Sequence, residues 1–178
     1  WHGNIAIDLV YNRLTDFSLE DASNLALCEA YVAGAVVVTP HPRNNALYAD
    51  KRNLALLTDA EFLQELGVDA ATRAILLNGI AKTLCVETRQ EDMLWQQRKQ
   101  LFFKPARGYG SKAAYRGDKL THRVFSEIMQ GDYVAQALVQ PSARQMHVGE
   151  QAVELKLDLR NYVYQGRVQS ICARLYQG

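Results

Sequence analysis

Strand-like and helix-like patterns of apolar positions alternate in the first part of the chain. Residues 5–11 and 35–39 are short runs rich in β-branched, aromatic and other apolar side chains, which predict two strands. Apolar residues at helical spacing between them predict a helix from Ser18, its candidate N-cap, to about Val32. Residues 40–45, which follow the second strand, predict a loop. Strand, helix and strand in this order predict a parallel α/β layer.

The middle of the chain has mainly helical spacing. Residues 46–82 predict helix, with Asp59 and Asp69 as candidate caps. Residues 83–87 predict a short strand, and residues 89–100 predict a polar helix.

From residue 101 onward, strands predominate. The predicted elements there are, in order, a strand at 101–105 that ends at a proline, a loop at 106–112, a short return strand at 113–115, a helix at 119–129, a strand at 133–140, a polar loop at 142–151, and a hairpin of 153–164 and 168–175. Helices and strands are mixed along the whole chain, so the predicted fold class is α/β (α+β).

Composition and charge narrow the range of functions. Apolar residues make up 48% and charged residues 22% of the 178 positions, which is the ordinary mixture of a folded globular protein. Twenty Lys and Arg against nineteen Asp and Glu give a net charge of +1. This near-balance predicts that neither nucleic acid nor an anionic membrane is a partner, because no global basic field would hold them.

The three cysteines are scattered and show no CxxC spacing. Cys28, Cys85 and Cys172 have no histidine beside them, so they predict buried thiols rather than a disulfide or zinc framework. Cys28 and Cys172 fall on apolar elements and are expected in the core. Thiols of this kind are typical of a reducing compartment, and we expect a cytoplasmic location.

Both ends of the sequence predict a piece of a longer protein. The chain starts at Trp1 without an initiator methionine and stops at Gly178, directly after a strand-like run. We therefore expect the composition to describe this piece rather than a whole protein.

One segment combines cations with glycines at the end of a predicted strand. Its chemistry-bearing residues are Lys104, Gly108, Gly110, Ser111 and Lys112. Glycines allow backbone N–H groups to approach a phosphate closely, and the lysines would offset its charge. The spacing differs from the Walker A motif, because Lys112 follows Ser111. Taken by themselves, these residues slightly favour the alternative of a basic surface hairpin.

Two later strands also carry polar groups that suit a ligand, on the backbone of the first and on the side chains of the second. The strand at 133–140 can present backbone N–H and C=O groups to a purine where it passes into a linker. Strand alternation places Glu154, Lys156, Asp158 and Arg160 on one face of the next strand. Such a face is either solvated or forms the wall of a cleft for phosphate or acyl phosphate, where arginine supplies paired donors.

Taken in order, these segments resemble the ATP-grasp superfamily, nearest to its glutathione-synthetase-like carboxylate-amine ligases. The resemblance covers about residues 49–178. The matching segments are 49–57, which is similar to the family's lysine-bearing helix, 103–105 with the second nucleotide lysine, 108–112 as the flexible glycine loop, 135–139 as the hinge strand, 157–160 as the D-x-R strand, and 173–174 with a later arginine. The loop has fewer glycines than the richest members of the family.

The resemblance implies an organisation of the chain into three parts. Residues 1–48 would be the tail of a preceding α/β domain on the substrate side. Residues 49–140 would be the first ATP-grasp lobe with its glycine loop, and residues 141–178 would begin a truncated second lobe.

The resemblance also implies a reaction. A carboxylate would attack the γ-phosphate of ATP to give an acyl phosphate, which an amine or thiol then captures. The carboxylate belongs to a small molecule or a peptide. Lys51 and Lys104 would hold the α- and β-phosphates, and the loop of residues 108–112 would close over them and exclude water.

Further residues receive roles from the same resemblance. Arg160 and Arg174 would face the γ-phosphate or the incoming carboxylate, and Asp158 would orient a neighbouring arginine. The adenine would meet the hinge strand at Gln136, Ala137 and Val139. The ligands of Mg²⁺ are expected beyond Gly178, so no metal ligand is assigned and the 178 residues alone are expected to be inactive. The alternative function is a non-catalytic α/β binding module whose cationic loop docks an acidic partner; a weaker alternative is a phosphotransferase.

Overall fold

The computed structural model describes residues 2–177 and divides the chain into two compact units between Ala137 and Leu138. The α-helices in the described residues are α1 (Leu25–Val32), α2 (Pro42–Tyr48), α3 (Arg52–Leu57), α4 (Ala60–Glu65), α5 (Ala70–Gly79), α6 (Glu91–Gln97) and α7 (His122–Gln130). The strands are β1 (Leu9–Tyr11), β2 (Val37–Thr39), β3 (Thr83–Cys85), β4 (Leu101–Pro105), β5 (Tyr115–Arg116), β6 (Tyr133–Ala137), β7 (Ser142–Val148), β8 (Gln151–Tyr164) and β9 (Arg167–Tyr176). Helices together with parallel and antiparallel strand pairs confirm the predicted α/β (α+β) class.

The beginning of the chain forms the predicted strand–helix–strand unit. β1 and β2 pair in parallel, with Leu9 opposite Val37, and α1 lies between them in sequence. The prediction that the helix begins at Ser18 is wrong, because α1 begins at Leu25. Asp16 organises the intervening segment instead: its carboxylate accepts hydrogen bonds from the backbone N–H groups of residues 20 and 21 and from Asn24 Nδ2.

The predicted loop at 40–45 and the predicted helical region that follows it differ from the structure. α2 already begins at Pro42, where the missing N–H of proline costs the helix nothing, and the His41 ring accepts from the N–H of Asn44. Residues 46–82 are divided among α2 to α5 rather than forming long helices. The predicted caps Asp59 and Asp69 are confirmed, since each carboxylate accepts backbone N–H groups of the first turn that follows.

A four-stranded antiparallel sheet in the order β3-β6-β4-β5 forms the centre of the first unit. Phe103 of β4 lies opposite Ala135 of β6, so both side chains point to the same face. Three helical side chains complete the buried cluster against them, namely Leu94, Phe125 and Ile128. Burial of each large side chain in such a cluster contributes roughly 1.5–3 kcal/mol. The cluster therefore holds β4 and β6 in register, and these two strands carry Lys104 and Gln136.

The second unit is the antiparallel sheet β7-β8-β9. The hairpin of β8 and β9 is confirmed; its two-residue turn, Gln165 and Gly166, has positive φ at both positions, as a type I′ turn requires. The prediction of a polar loop at 142–151 is wrong, because Ser142–Val148 pairs with β8. An edge strand of this kind is held by backbone hydrogen bonds and needs little apolar content.

Apolar and charged side chains alternate along β8. Leu155, Leu157 and Leu159 share one face, while Lys156 and Asp158 point to the other. No residue of 138–177 whose burial is described is buried. Exposure of Cys172 contradicts its predicted place in the core, and Cys28 is half-buried. In the described part of the chain, no helix is long and apolar enough to cross a membrane.

Candidate anion-binding site

Lys104 is a half-buried lysine whose hydrogen-bond acceptor is neutral. It lies near the end of β4, and its Nζ donates to Gln136 Oε1 on the adjacent strand β6 at 2.7 Å. Burial lowers the pKa of Lys104 from its ordinary value, and the positive charge of Lys51 lowers it further. The charged form of Lys104 is therefore less stable than that of an exposed lysine, and a bound anion would stabilise it.

Lys51 brings the beginning of α3 against the segment that follows β4. Its backbone N–H donates to the carbonyl oxygen of Ala106 at 2.9 Å, and its Nζ donates to the carbonyl oxygen of Gly108 at 3.1 Å. The two lysines are 53 positions apart in sequence, but the backbone hydrogen bond from Lys51 to Ala106 places Lys51 beside the end of β4, which carries Lys104. The structure therefore brings Lys51, Lys104 and the loop together.

Asp50, the residue before Lys51, is bound by arginines rather than by these lysines. Asp50 accepts from Arg52 Nε at 3.0 Å and from Arg107 Nε at 3.2 Å, and only 10% of its side chain is exposed. The hydrogen bond from Arg52 holds the pKa of Asp50 well below its ordinary value. Within the described residues neither Lys51 nor Lys104 forms an ion pair with an acid, so no carboxylate competes with a ligand for these ammonium groups.

The loop between β4 and β5 has an unusual backbone. Gly108 adopts a φ of 132°, and Gly110 and Ser111 adopt φ values of 66° and 58°. The value at Gly108 lies where side chains are strained, so this position requires glycine. Lys112 Nζ stands 5.3 Å from the ring centre of Tyr109, within range of a cation–π contact.

Tyr109 of the loop contacts the N-terminal part of the first unit. Its ring and the ring of Phe17 make a T-shaped contact, with 5.2 Å between the ring centres. A cavity of about 440 Å³ lies beside this contact and is lined by Phe17, Asp50, Arg107, Gly108 and Tyr109 among others. Lys51 and Lys104 do not line this cavity, so the lysine pair and the cavity border the loop at separate places.

The residues predicted for the adenine hinge lie around the end of β6. Gln136 uses both ends of its amide, since Nε2 donates to Thr83 Oγ1 at 2.9 Å while Oε1 accepts from Lys104. Ala137 N–H donates to the carbonyl oxygen of Lys82 at 2.7 Å. Val139 lies in the second unit and is exposed. Sequence reasoning missed Thr83, whose signal is a polar residue at the start of an apolar strand.

The remaining predicted residues lie in the second unit. Asp158 and Arg174 are directly opposite across β8 and β9, and the carboxylate accepts from Arg174 Nε at 3.1 Å and 3.2 Å. This contact raises the pKa of Arg174. Arg160 lies opposite Cys172 and is exposed. The structure therefore pairs Asp158 with Arg174 and leaves Arg160 without an acidic partner among the described residues.

Together these features describe an α/β (α+β) chain whose first unit holds two lysines with neutral acceptors beside a glycine-containing loop. No family model matches the chain, and no curated protein matches it either. Among solved structures it is similar to the ATP-grasp ligase PsnB, determined in complex with a minimal precursor, with 14% identity and a TM-score of 0.39. The match covers 94% of this chain and 56% of that ligase, so the chain spans little more than half of the ligase's length.

Proposed function

We propose that the first unit binds the phosphates of ATP, as part of a ligase that joins a carboxylate to an amine or a thiol. The observation that carries this proposal is the lysine pair. Lys51 and Lys104 are brought together beside a glycine loop, and both donate to neutral oxygen atoms. Two close ammonium groups without acidic partners favour a multiply charged anion, and a triphosphate is such a ligand.

Lys51 is able to hold the loop and a phosphate at the same time. An ammonium group has three donors, and the structure uses one of them for the carbonyl oxygen of Gly108. The other donors remain for a phosphate oxygen. In this proposal, phosphate binding at Lys51 draws the loop of residues 108–112 over the nucleotide, and Ser111 and Lys112 come to lie nearest the phosphates. Closure of this kind would protect a reactive intermediate from water.

The proposed reaction has two steps. A carboxylate oxygen forms a bond to the γ-phosphorus while the bond to the β-phosphate oxygen breaks, which gives an acyl phosphate and ADP. An amine or thiol then forms a bond to the acyl carbon, loses its proton and releases inorganic phosphate. For the second unit, the roles of Arg160 and Arg174 remain those that the resemblance implies, and Asp158 is proposed to orient Arg174 through their ion pair.

The adenine is proposed to meet the backbone at the end of β6, around Gln136, Ala137 and Val139. Magnesium is assigned to no residue, since the described residues contain no group of three or more His, Cys, Asp or Glu side chains that could hold a metal ion. The roles given to individual residues here are supported by the sequence resemblance and by the lysine geometry.

The proposal predicts that ATP stabilises the folded protein far more than adenosine does. At a free ATP concentration about 100 times its Kd, the free energy of unfolding should rise by about 2.7 kcal/mol. Thermal unfolding with ATP, adenosine and inorganic tripolyphosphate measures this effect. The Lys99→Ala variant is the matched control, because Lys99 is an exposed lysine just before β4, and it should respond to ATP as the wild type does.

Two results would contradict the proposal. If ATP leaves the unfolding temperature unchanged, the lysine pair is no nucleotide site. If adenosine stabilises the protein as much as ATP, the phosphates contribute nothing. Equal stabilisation by tripolyphosphate and ATP would retain an anion site and remove the part of the proposal that concerns adenine.

A further inference from the structure

The Gln136 side chain lies between two groups with opposite hydrogen-bonding requirements. Lys104 Nζ can only donate, and Thr83 Oγ1 lies on the other side of the amide. Sheet register explains the arrangement: Thr83 is directly opposite Gln136 on β3, while Phe102, two positions before Lys104, is opposite Gln136 on β4. The three polar side chains therefore follow one face across three adjacent strands.

The direction of the hydrogen bonds is determined at Thr83. Its hydroxyl donates to the carbonyl oxygen of Ala81 at 2.8 Å, and a carbonyl oxygen can only accept. Since the hydroxyl proton is used there, Thr83 Oγ1 can only accept from Gln136. The NH₂ group of the amide must therefore face Thr83, and its oxygen must face Lys104. The reversed amide would place two donor groups against each other at Lys104.

Thr83 itself is held rigidly. Thr83 is 1% exposed, and its backbone N–H donates to Thr58 Oγ1 at 3.1 Å. Thr58 is 2% exposed and donates to the carbonyl oxygen of Leu54 at 2.8 Å, in the helix α3 that begins just after Lys51. A continuous network of hydrogen bonds thus leads from α3 through the buried Thr58 and Thr83 to the partly buried Gln136 and Lys104.

We propose that Thr83 is a positioning residue of the anion site, because its hydroxyl turns the amide of Gln136 so that the amide oxygen holds the Lys104 ammonium in place. Thr83 acts through Gln136 and touches no ligand. The value of the arrangement for ATP rests on the proposed function, whereas the orientation of the amide does not depend on it.

Two substitutions of Thr83 separate its hydroxyl from its packing. Thr83→Val keeps the shape of the side chain and removes the hydroxyl, and Thr83→Ser keeps the hydroxyl and removes the methyl group. We expect Thr83→Val to weaken ATP binding about tenfold. This is roughly the effect of losing one hydrogen bond to a charged group, here the bond between Gln136 Oε1 and the Lys104 ammonium. Thr83→Ser should keep the affinity of the wild type. Isothermal titration calorimetry with ATP measures both.

A second measurement needs no nucleotide. NMR titration of the Lys104 side chain in the unliganded protein reports the pKa of its ammonium group. We expect this pKa to fall further in Thr83→Val and to stay unchanged in Thr83→Ser, because only the first variant removes the acceptor of the Gln136 NH₂ group and so loosens the amide oxygen at Lys104. Gln136→Met, which removes the amide at similar length, should give the same fall and serves if Thr83→Val does not fold.

The outcomes distinguish the two proposals. If the wild type binds no ATP, the proposed function fails, and the titration of Lys104 alone decides the role of Thr83. If the wild type binds ATP and Lys104→Ala does not, but Thr83→Val binds and titrates like the wild type, the positioning role is overturned. An equal loss in Thr83→Ser and Thr83→Val also overturns it, since packing would then be responsible.

Discussion

Replacement of Gly117 by alanine is expected to unfold the first unit or to lower its free energy of unfolding by at least about 4 kcal/mol. Gly117 is buried just after β5, and a Cβ atom there would lie 1.8 Å from the carbonyl oxygen of Arg98 and 2.8 Å from that of Leu101. Both contacts are with backbone atoms, one in the 3₁₀ turn Arg98–Gln100 just before β4 and one in the first residue of β4, which cannot move without disturbing the sheet. Urea denaturation followed by circular dichroism measures the loss.

Gly79→Ala is the matched control for this substitution. Gly79 is the last residue of α5, its φ is ordinary, and an added Cβ would meet nothing within 4 Å. Alanine there should be neutral or stabilise the protein by up to about 1 kcal/mol, because it favours the helix and restricts the unfolded chain. Wild-type stability of Gly117→Ala would contradict the close approach of this turn to Arg98.

The second large effect is expected for Lys104→Ala, which should weaken ATP binding about 10- to 100-fold. A hydrogen bond between charged groups contributes roughly 1.5–3 kcal/mol, and a half-buried ammonium is screened less by water than an exposed one. Isothermal titration calorimetry measures the change, with Lys99→Ala as the control. Unchanged affinity in Lys104→Ala would exclude this lysine from the site.

The pH dependence of ATP binding adds a signature of the same residue. Because the pKa of Lys104 is lowered, its ammonium is lost at a lower pH than that of an ordinary lysine, and ATP affinity should fall as pH rises through this pKa. Over the same interval the unfolded chain binds more protons than the folded one, so the stability of the unliganded protein should rise. Lys104→Ala should remove both trends.

Local chemistry made part of the fold predictable. The strand β4 at 101–105, the caps Asp59 and Asp69, and the hairpin of β8 and β9 follow from residues that lie close together in sequence. The start of α1 could not be predicted in this way, because Asp16 accepts the backbone N–H groups that Ser18 was expected to bind. The strand β7 was missed because its polar sequence is held by the backbone of β8.

The candidate site shows the same division between local and distant information. The lysines and glycines of the site were recognisable from their order, but the contact of Lys51 with Gly108 spans 57 positions. Thr83 was missed since its role depends on the pairing of β3 with β6, which places it 53 positions away from its partner Gln136. The local signal, a polar residue at the start of an apolar strand, does not reveal which distant side chain it contacts.

The most direct test of the account is NMR of the lysine side-chain signals during a titration with ATP. Lys51 and Lys104 each donate to a neutral acceptor, and the backbone hydrogen bond from Lys51 to Ala106 brings their segments together. If they hold the phosphates, both signals should shift with ATP and stay in place with adenosine, while the signal of Lys99 stays in place with either. Saturating ATP that leaves Lys51 and Lys104 unshifted would contradict the account.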